Sequence, residues 1–218
     1  TNNYSTAYND SLGIEKLQKY ASLFGLNERT GIEIEEAAPQ IANEFPVMAA
    51  IGQSNNNYTT VQLARYVTAV ANEGTVYQYT LLNRLEDSDG NVLQTFEPQV
   101  RNQIDVLDTE EWNAIHSGMR MVVENTKEFD GFPIEAAGKT GTAQQNLKRP
   151  NHALFVGYAP YDDPEISIAT RIAYGYTSHN AAKLARNVFA YYFNVENEDE
   201  LLNGQAANGN SSSNEISD

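Results

Sequence analysis

Apolar residues recur at helical spacing over Leu12, Ile14, Leu17, Tyr20, Ala21 and Phe24, and the run stops at Gly25. That pattern predicts an amphipathic helix from Ser11 with a glycine end. Asn27 to Thr30 carries turn chemistry, and Thr30-Gly31-Ile32-Glu33-Ile34 alternates as a short strand would. A polar, alanine-rich loop follows to about Phe45. A second helix, capped by Thr59 or Thr60, carries Val61, Leu63, Ala64, Val67, Val70 and Ala71, with Gly74 where a left-handed terminal residue is wanted. Residues 81–86 and 91–96 flank Asp87-Ser88-Asp89-Gly90 and read as a hairpin. That loop resembles a calcium site but lacks the remaining ligands and the closing glutamate.

Asp108 or Thr109 caps a third helix, with Glu110 and Glu111 favoured in its first turn and Trp112, Ile115, Met119, Val122 and Val123 available for burial. Three β-rich runs then follow at about 136–145, 151–159 and 164–174, and antiparallel neighbours are their economical topology. Ser178 suits the cap of a last helix to about residue 193, whose Ala182, Ala185, Val188 and Phe189 would cover the sheet. Beyond Val195 the chain turns acidic and then rich in Gly, Asn and Ser, so residues 195–218 are expected to be a disordered tail on a domain spanning 1–194.

Composition narrows the partners. Across 218 residues, 14 Lys and Arg stand against 29 Asp and Glu, a formal charge of −15 that repels nucleic acid and anionic lipid. With no cysteine, disulfides, thiol catalysis and thiolate metal sites are excluded, and His116, His152 and His179 are too scattered for a local metal motif. Neither metal nor cofactor is expected. No apolar run reaches the length of a membrane span and no cationic leader opens the chain, so membrane anchoring is expected only through an absent upstream segment. Thr1 starts abruptly, as if inside a longer protein.

The stretch with the most chemistry is Gly138-Lys139-Thr140-Gly141-Thr142-Ala143-Gln144. A cation, two hydroxyls and glycines that admit another backbone suit an edge strand built to hold an acyl group. Lys139 also fits an ordinary edge lysine that guards against aggregation. Gln144 fits either a cleft contact or strand surface. His152 reads as a strand-end or core histidine and Trp112 as a core anchor.

With the elements in this order, several stretches resemble the penicillin-binding protein transpeptidases, above all the monofunctional class B enzymes of peptidoglycan synthesis. They are Leu12-Gly13-Ile14-Glu15-Lys16-Leu17, Phe24-Gly25-Leu26 with Thr30-Gly31-Ile32, Ile51-Gly52-Gln53, and Thr60-Val61-Gln62-Leu63-Ala64. Ala71-Asn72-Glu73-Gly74-Thr75, residues 137–144 and His152-Ala153-Leu154-Phe155-Val156-Gly157-Tyr158-Ala159-Pro160 continue the series, which covers about residues 11–193. The resemblance implies an α+β penicilloyl-serine transferase fold, present in part, with the Lys-Thr-Gly strand as one wall of the cleft. It implies catalytic roles for Lys139 and for Thr142, whose backbone N–H would be an oxyanion donor. It assigns substrate binding to Thr140, Gly141, Thr142 and Gln144, with the two threonine hydroxyls on a terminal carboxylate.

That family also needs Ser-x-x-Lys for its nucleophile, and no serine of this chain has a lysine three residues on. Ser-x-Asn occurs at Ser54-Asn55-Asn56, Ser178-His179-Asn180 and Ser212-Ser213-Asn214, each in the wrong context. The chain therefore reads as the C-terminal half of a transpeptidase domain, inactive alone, whose partners would be peptidoglycan stem peptide, β-lactams and the missing N-terminal half outside the bacterial membrane. A serine β-lactamase or β-lactam sensor, and a non-catalytic peptide-binding module, are the alternative readings. Period-two geometry puts Thr140 and Thr142 on one strand face and Lys139 on the other, so they can converge only at a twisted edge.

Overall fold

A computed structural model describes residues 10–197 and Leu201. Helix α1 (Asp10–Leu23) precedes Gly25, whose φ of +73° is the left-handed turn a glycine end requires. A one-turn helix α2 (Pro46–Ala49) follows a long loop, and α3 (Thr60–Ala71) opens with a reciprocal cap. Thr59 Oγ1 accepts from the Gln62 N–H at 3.2 Å, and Gln62 Oε1 accepts from the Thr59 N–H at 2.8 Å. Helix α4 (Thr109–Glu124) is capped in the same way by Asp108 and Glu111, at 2.9 Å in each direction.

Between α3 and α4 lie four short strands: β1 (Thr75–Gln78), β2 (Arg84–Glu86), β3 (Val92–Thr95) and β4 (Gln99–Gln103). The β2–β3 hairpin turns where Asp87 Oδ1 accepts from the N–H groups of Asp89 and Asn91, both at 2.9 Å. The antiparallel pairing of β1 with β4 is not announced by the sequence, because Gln99-Val100-Arg101-Asn102-Gln103 is exposed throughout and carries no apolar alternation.

Two local expectations need correction. Residues 30–34 are not a strand: the Thr30 N–H is taken by the Glu36 carboxylate at 2.7 Å and Gly31 sits at φ +89°, so this backbone is satisfied by side chains rather than by a ladder. Helix α5 (Ser178–Tyr192) is capped by Thr177, not Ser178; Ser178 is already its first helical residue, and Thr177 Oγ1 accepts from the His179 N–H at 3.5 Å.

Strands β5 (Ala137–Ala143), β6 (His152–Ala159) and β7 (Ile166–Ile172) form an antiparallel sheet in that order, in unbroken register from Ala137↔Tyr158 to Ala143↔His152. Helix α5 covers one face, packing Ala181, Ala182, Ala185 and Phe189 on Ala153, Phe155 and Ala159. Val188, expected on that face, is 36% exposed at its flank. The other face receives Val67 and Ala71 of α3 against Ala137 and Tyr158. Thr68 Oγ1 ties α3 to β7 through Ser167 Oγ at 2.6 Å. At Gly138 a Cβ would come within 2.8 Å of the Val156 carbonyl oxygen and closer still to the Phe155 ring, so only glycine permits this packing. Glu196, two residues past the expected boundary at 194, pairs with Arg186 of α5. The rest of the expected tail, Leu201 apart, lies outside the described residues.

Candidate active-site wall

Strand β5 pairs only with β6, which leaves its other side open among the described residues. Antiparallel register sets Thr140 opposite Phe155 and Thr142 opposite Ala153, on the face covered by α5, while Lys139 and Gly141 lie opposite Val156 and Leu154 on the other face. Lys139 and Thr142 are exposed, Thr140 and Gly141 half-buried, and Gln144 is exposed just past the strand end. Lys139 Nζ donates to the Thr140 carbonyl at 2.9 Å, folding the ammonium back onto its own strand.

The polarity of that edge follows from one contact 89 residues apart in sequence. Gln53 Nε2 donates to the Thr142 carbonyl at 3.5 Å, so this carbonyl faces away from β6. In an antiparallel strand a residue's N–H and C=O point to the same side. The Thr142 N–H therefore shares the open edge, and so do the N–H and C=O of Thr140 two residues before it. The edge offers the N–H groups of Thr140 and Thr142, while the two carbonyls beside them accept from the Lys139 ammonium and Gln53. Lys139, Thr140, Gly141 and Thr142 are thus brought together, with Gln144 at the end of the same edge.

Gln53 was part of a recognised stretch without a role of its own. It reaches β5 because α2 begins from Phe45 at φ +48° and Gly52 sits at φ +80°. The neighbouring Ser54 Oγ donates to the Glu44 carbonyl at 2.6 Å, and Asn55 and Asn56 bond to Asn43 and Ala42, so Ser54-Asn55-Asn56 braces the loop.

A buried polar cluster joins α3 to the 25–36 loop. Arg65 of α3 is 1% exposed, yet its guanidinium donates to the carbonyls of Gly25, Glu28 and Arg29. Glu36 bridges Thr30 and Thr59, accepting from both hydroxyls at 3.0 Å. Gln62 Nε2 completes the set on the Glu28 carbonyl at 2.9 Å. A Cβ at Gly25 would meet the Arg65 guanidinium at 2.6 Å. The stretch from Gly25 to Arg29 is thus the socket of one buried arginine. The sequence carried a signal: Gln62, Arg65 and Ala69 share the i, i+3, i+7 spacing of a buried helix stripe.

At the opposite end of the sheet, His152 Nδ1 accepts from the Tyr174 N–H at 3.1 Å, which leaves Nε2 as the donor to Gln145 Oε1 at 2.9 Å. Burial first, and then the Arg171 charge, hold its pKa below the ordinary 6.5. A histidine kept neutral in the fold stabilises fully above its unfolded pKa and loses that contribution as pH falls through 6.5 toward the folded value. Thermal melts of the chain should therefore weaken as pH falls below about 6.5, and His152→Asn should flatten that slope. An unchanged slope in the variant would remove His152 as its source.

A free-edged sheet with one face under a C-terminal helix, and a Lys-Thr-Gly edge strand beside a helical region, define the class. The chain belongs to the penicillin binding protein transpeptidase domain family, whose model matches residues 1–190. Among its relatives, the peptidoglycan D,D-transpeptidase MrdA of Haemophilus influenzae is 33% identical over 227 residues, covering 88% of this chain and 34% of that protein. Penicillin-binding protein 2B of Streptococcus pneumoniae superposes with a TM-score of 0.73 at 25% identity, over 84% of this chain and 33% of that one. The imipenem acyl-enzyme complex of penicillin-binding protein A from M. tuberculosis shares the fold, with a TM-score of 0.73 at 22% identity over 82% of this chain and 42% of that chain. The chain spans about a third of the length of the curated relatives it matches. No helix among the described residues is long and apolar enough to cross a membrane.

Proposed function

We propose that this chain supplies the Lys-Thr-Gly wall of a D,D-transpeptidase cleft that cross-links peptidoglycan stem peptides on the outer side of the bacterial membrane. The observation that carries the reading is the open edge of β5, where the Thr142 N–H and carbonyl face away from β6 beside Lys139 and Thr140. In the reaction a serine hydroxyl attacks the carbonyl of the penultimate D-alanine, the terminal D-alanine leaves with the proton, and the acyl group passes to an acceptor amine. Here the Thr142 N–H stabilises the developing oxyanion, the Thr140 and Thr142 hydroxyls hold the terminal carboxylate, and Lys139 supplies positive potential and helps move the proton. Gly141 leaves room for the peptide as an added strand, and Gln144 lies where its upstream part passes.

The serine and its activating lysine belong to a part of the domain outside these 218 residues, so the chain alone is inactive. β-Lactams occupy the same edge as carboxylate-bearing acyl donors. The experiment is penicillin acylation of a domain completed by its upstream part. Lys139→Ala should slow acylation by about 10²–10⁴-fold, the usual weight of a general acid–base group, while leaving the melting temperature of the sheet nearly unchanged because the side chain is exposed. Acylation at the wild-type rate would take Lys139 out of the mechanism.

A further inference from the structure

The chain carries −15, yet Lys148 and Arg149 in the β5–β6 loop and Arg171 of β7 fall at one end of the sheet. Arg65, Arg84, Arg101, Arg120 and Arg186 are ion-paired with carboxylates, whereas no ion pair among the described residues includes Lys139, Lys148, Arg149 or Arg171. Two of these unneutralised groups are nonetheless fixed in place. Arg149 donates to Tyr174 Oη at 2.8 Å and lies 5.2 Å from the centre of that ring. Tyr174 stacks at 4.9 Å on His152, and the Arg171 guanidinium sits 3.4 Å from His152 Nδ1. A guanidinium has five donors in a fixed fork, and a phenol and an aromatic ring leave its charge unspent.

The direction of an added strand carries a peptide toward the end of the sheet that holds this cluster. Strand β5 runs from Ala137 to Ala143, so a peptide pairing antiparallel to it ends beside Thr140 and carries its preceding residues past Ala143 toward Gln144 and the β5–β6 loop. That loop holds Lys148 and Arg149, and Gln145 within it is tied to His152. Resting on the transpeptidase reading, we infer that Arg149 and Arg171, on their Tyr174–His152 platform, form a subsite for a free carboxylate borne by the donor peptide upstream of its D-alanyl-D-alanine end. The subsite is separate from the Thr140 and Thr142 hydroxyls, and it selects a peptide whose upstream acid is not amidated. Charge-assisted, bidentate recognition of this kind distinguishes an acid from its amide.

The test uses the domain with its upstream part and two synthetic peptides ending in D-alanyl-D-alanine, one with a free upstream side-chain carboxylate and one with the primary amide. Release of D-alanine should favour the acid roughly fivefold to tenfold in kcat/KM, as expected for a partly exposed charge-assisted pair. The ratio should shrink as salt is raised, fall toward one in Arg149→Gln and Arg171→Gln, and take an intermediate value in Arg149→Lys. Equal use of the two peptides by the wild type, with penicillin labelling intact, removes the subsite alone, as does an unchanged ratio in both glutamine variants. Failure of penicillin labelling together with failure to turn over either peptide removes the cleft and the subsite with it.

Discussion

A fluorescent penicillin will leave the isolated 218-residue chain unlabelled and will label the domain once the part upstream of it is supplied. The expected contrast is all or none in covalent stoichiometry, larger than any effect of a point change, because acylation needs a serine activated by a lysine three residues on and none of these residues forms that motif. Half an oxyanion hole compounds the loss, since removing one such donor costs about 2.7–4 kcal/mol of transition-state stabilisation. The surface is consistent with assembly: Phe45, Val47, Met48 and Ile51, next to the Gln53 contact with β5, are between 46% and 72% exposed. Added as a separate polypeptide, the upstream part should restore labelling by covering this patch. Gel fluorescence and intact mass measure it; a penicilloyl serine in the isolated chain would refute the division of labour.

Arg65→Met should be the most damaging single substitution away from the edge strand. It leaves the carbonyls of Gly25, Glu28 and Arg29 without their donor inside the fold, while the Glu28 carboxylate keeps its contact with Arg101. A buried acceptor left unpaired costs about 1–3 kcal/mol, so losing the donor to three carbonyls at once removes a large part of a domain's whole stability. Urea unfolding of the chain should show a correspondingly lower midpoint. Arg101→Met, which breaks the exposed contact with the same Glu28, should barely move it. Equal losses in the two variants would mean that the buried network is not what holds the 25–36 loop to α3.

Regular, amphipathic elements were legible because their signals are local. Capping boxes at Thr59 and Asp108, the Asp87 turn and the three turn-bounded runs of the final sheet each depend on neighbours within a few residues. What stayed hidden depends on distant partners. In the β1–β4 pair β4 is polar and exposed throughout and gives no apolar alternation to read, and residues 30–34 alternate like a strand while Glu36 takes the Thr30 N–H. For the site, the Lys-Thr-Gly stretch and its face alternation could be read directly. That Gln53 marks the open side of Thr142, and that Arg149 and Arg171 meet around Tyr174, required the fold to join residues far apart in the chain.

Whether the open edge of β5 receives the acyl donor is seen in a crystal structure of the completed domain acylated by benzylpenicillin. The drug's carboxylate should lie within about 2.7–3.2 Å of the Thr140 and Thr142 hydroxyls and the ester carbonyl oxygen at similar distance from the Thr142 N–H, with Gln53 displaced or sharing the Thr142 carbonyl. An acyl group bound to serine but directed away from β5, with Thr140 and Thr142 still facing solvent, would contradict it.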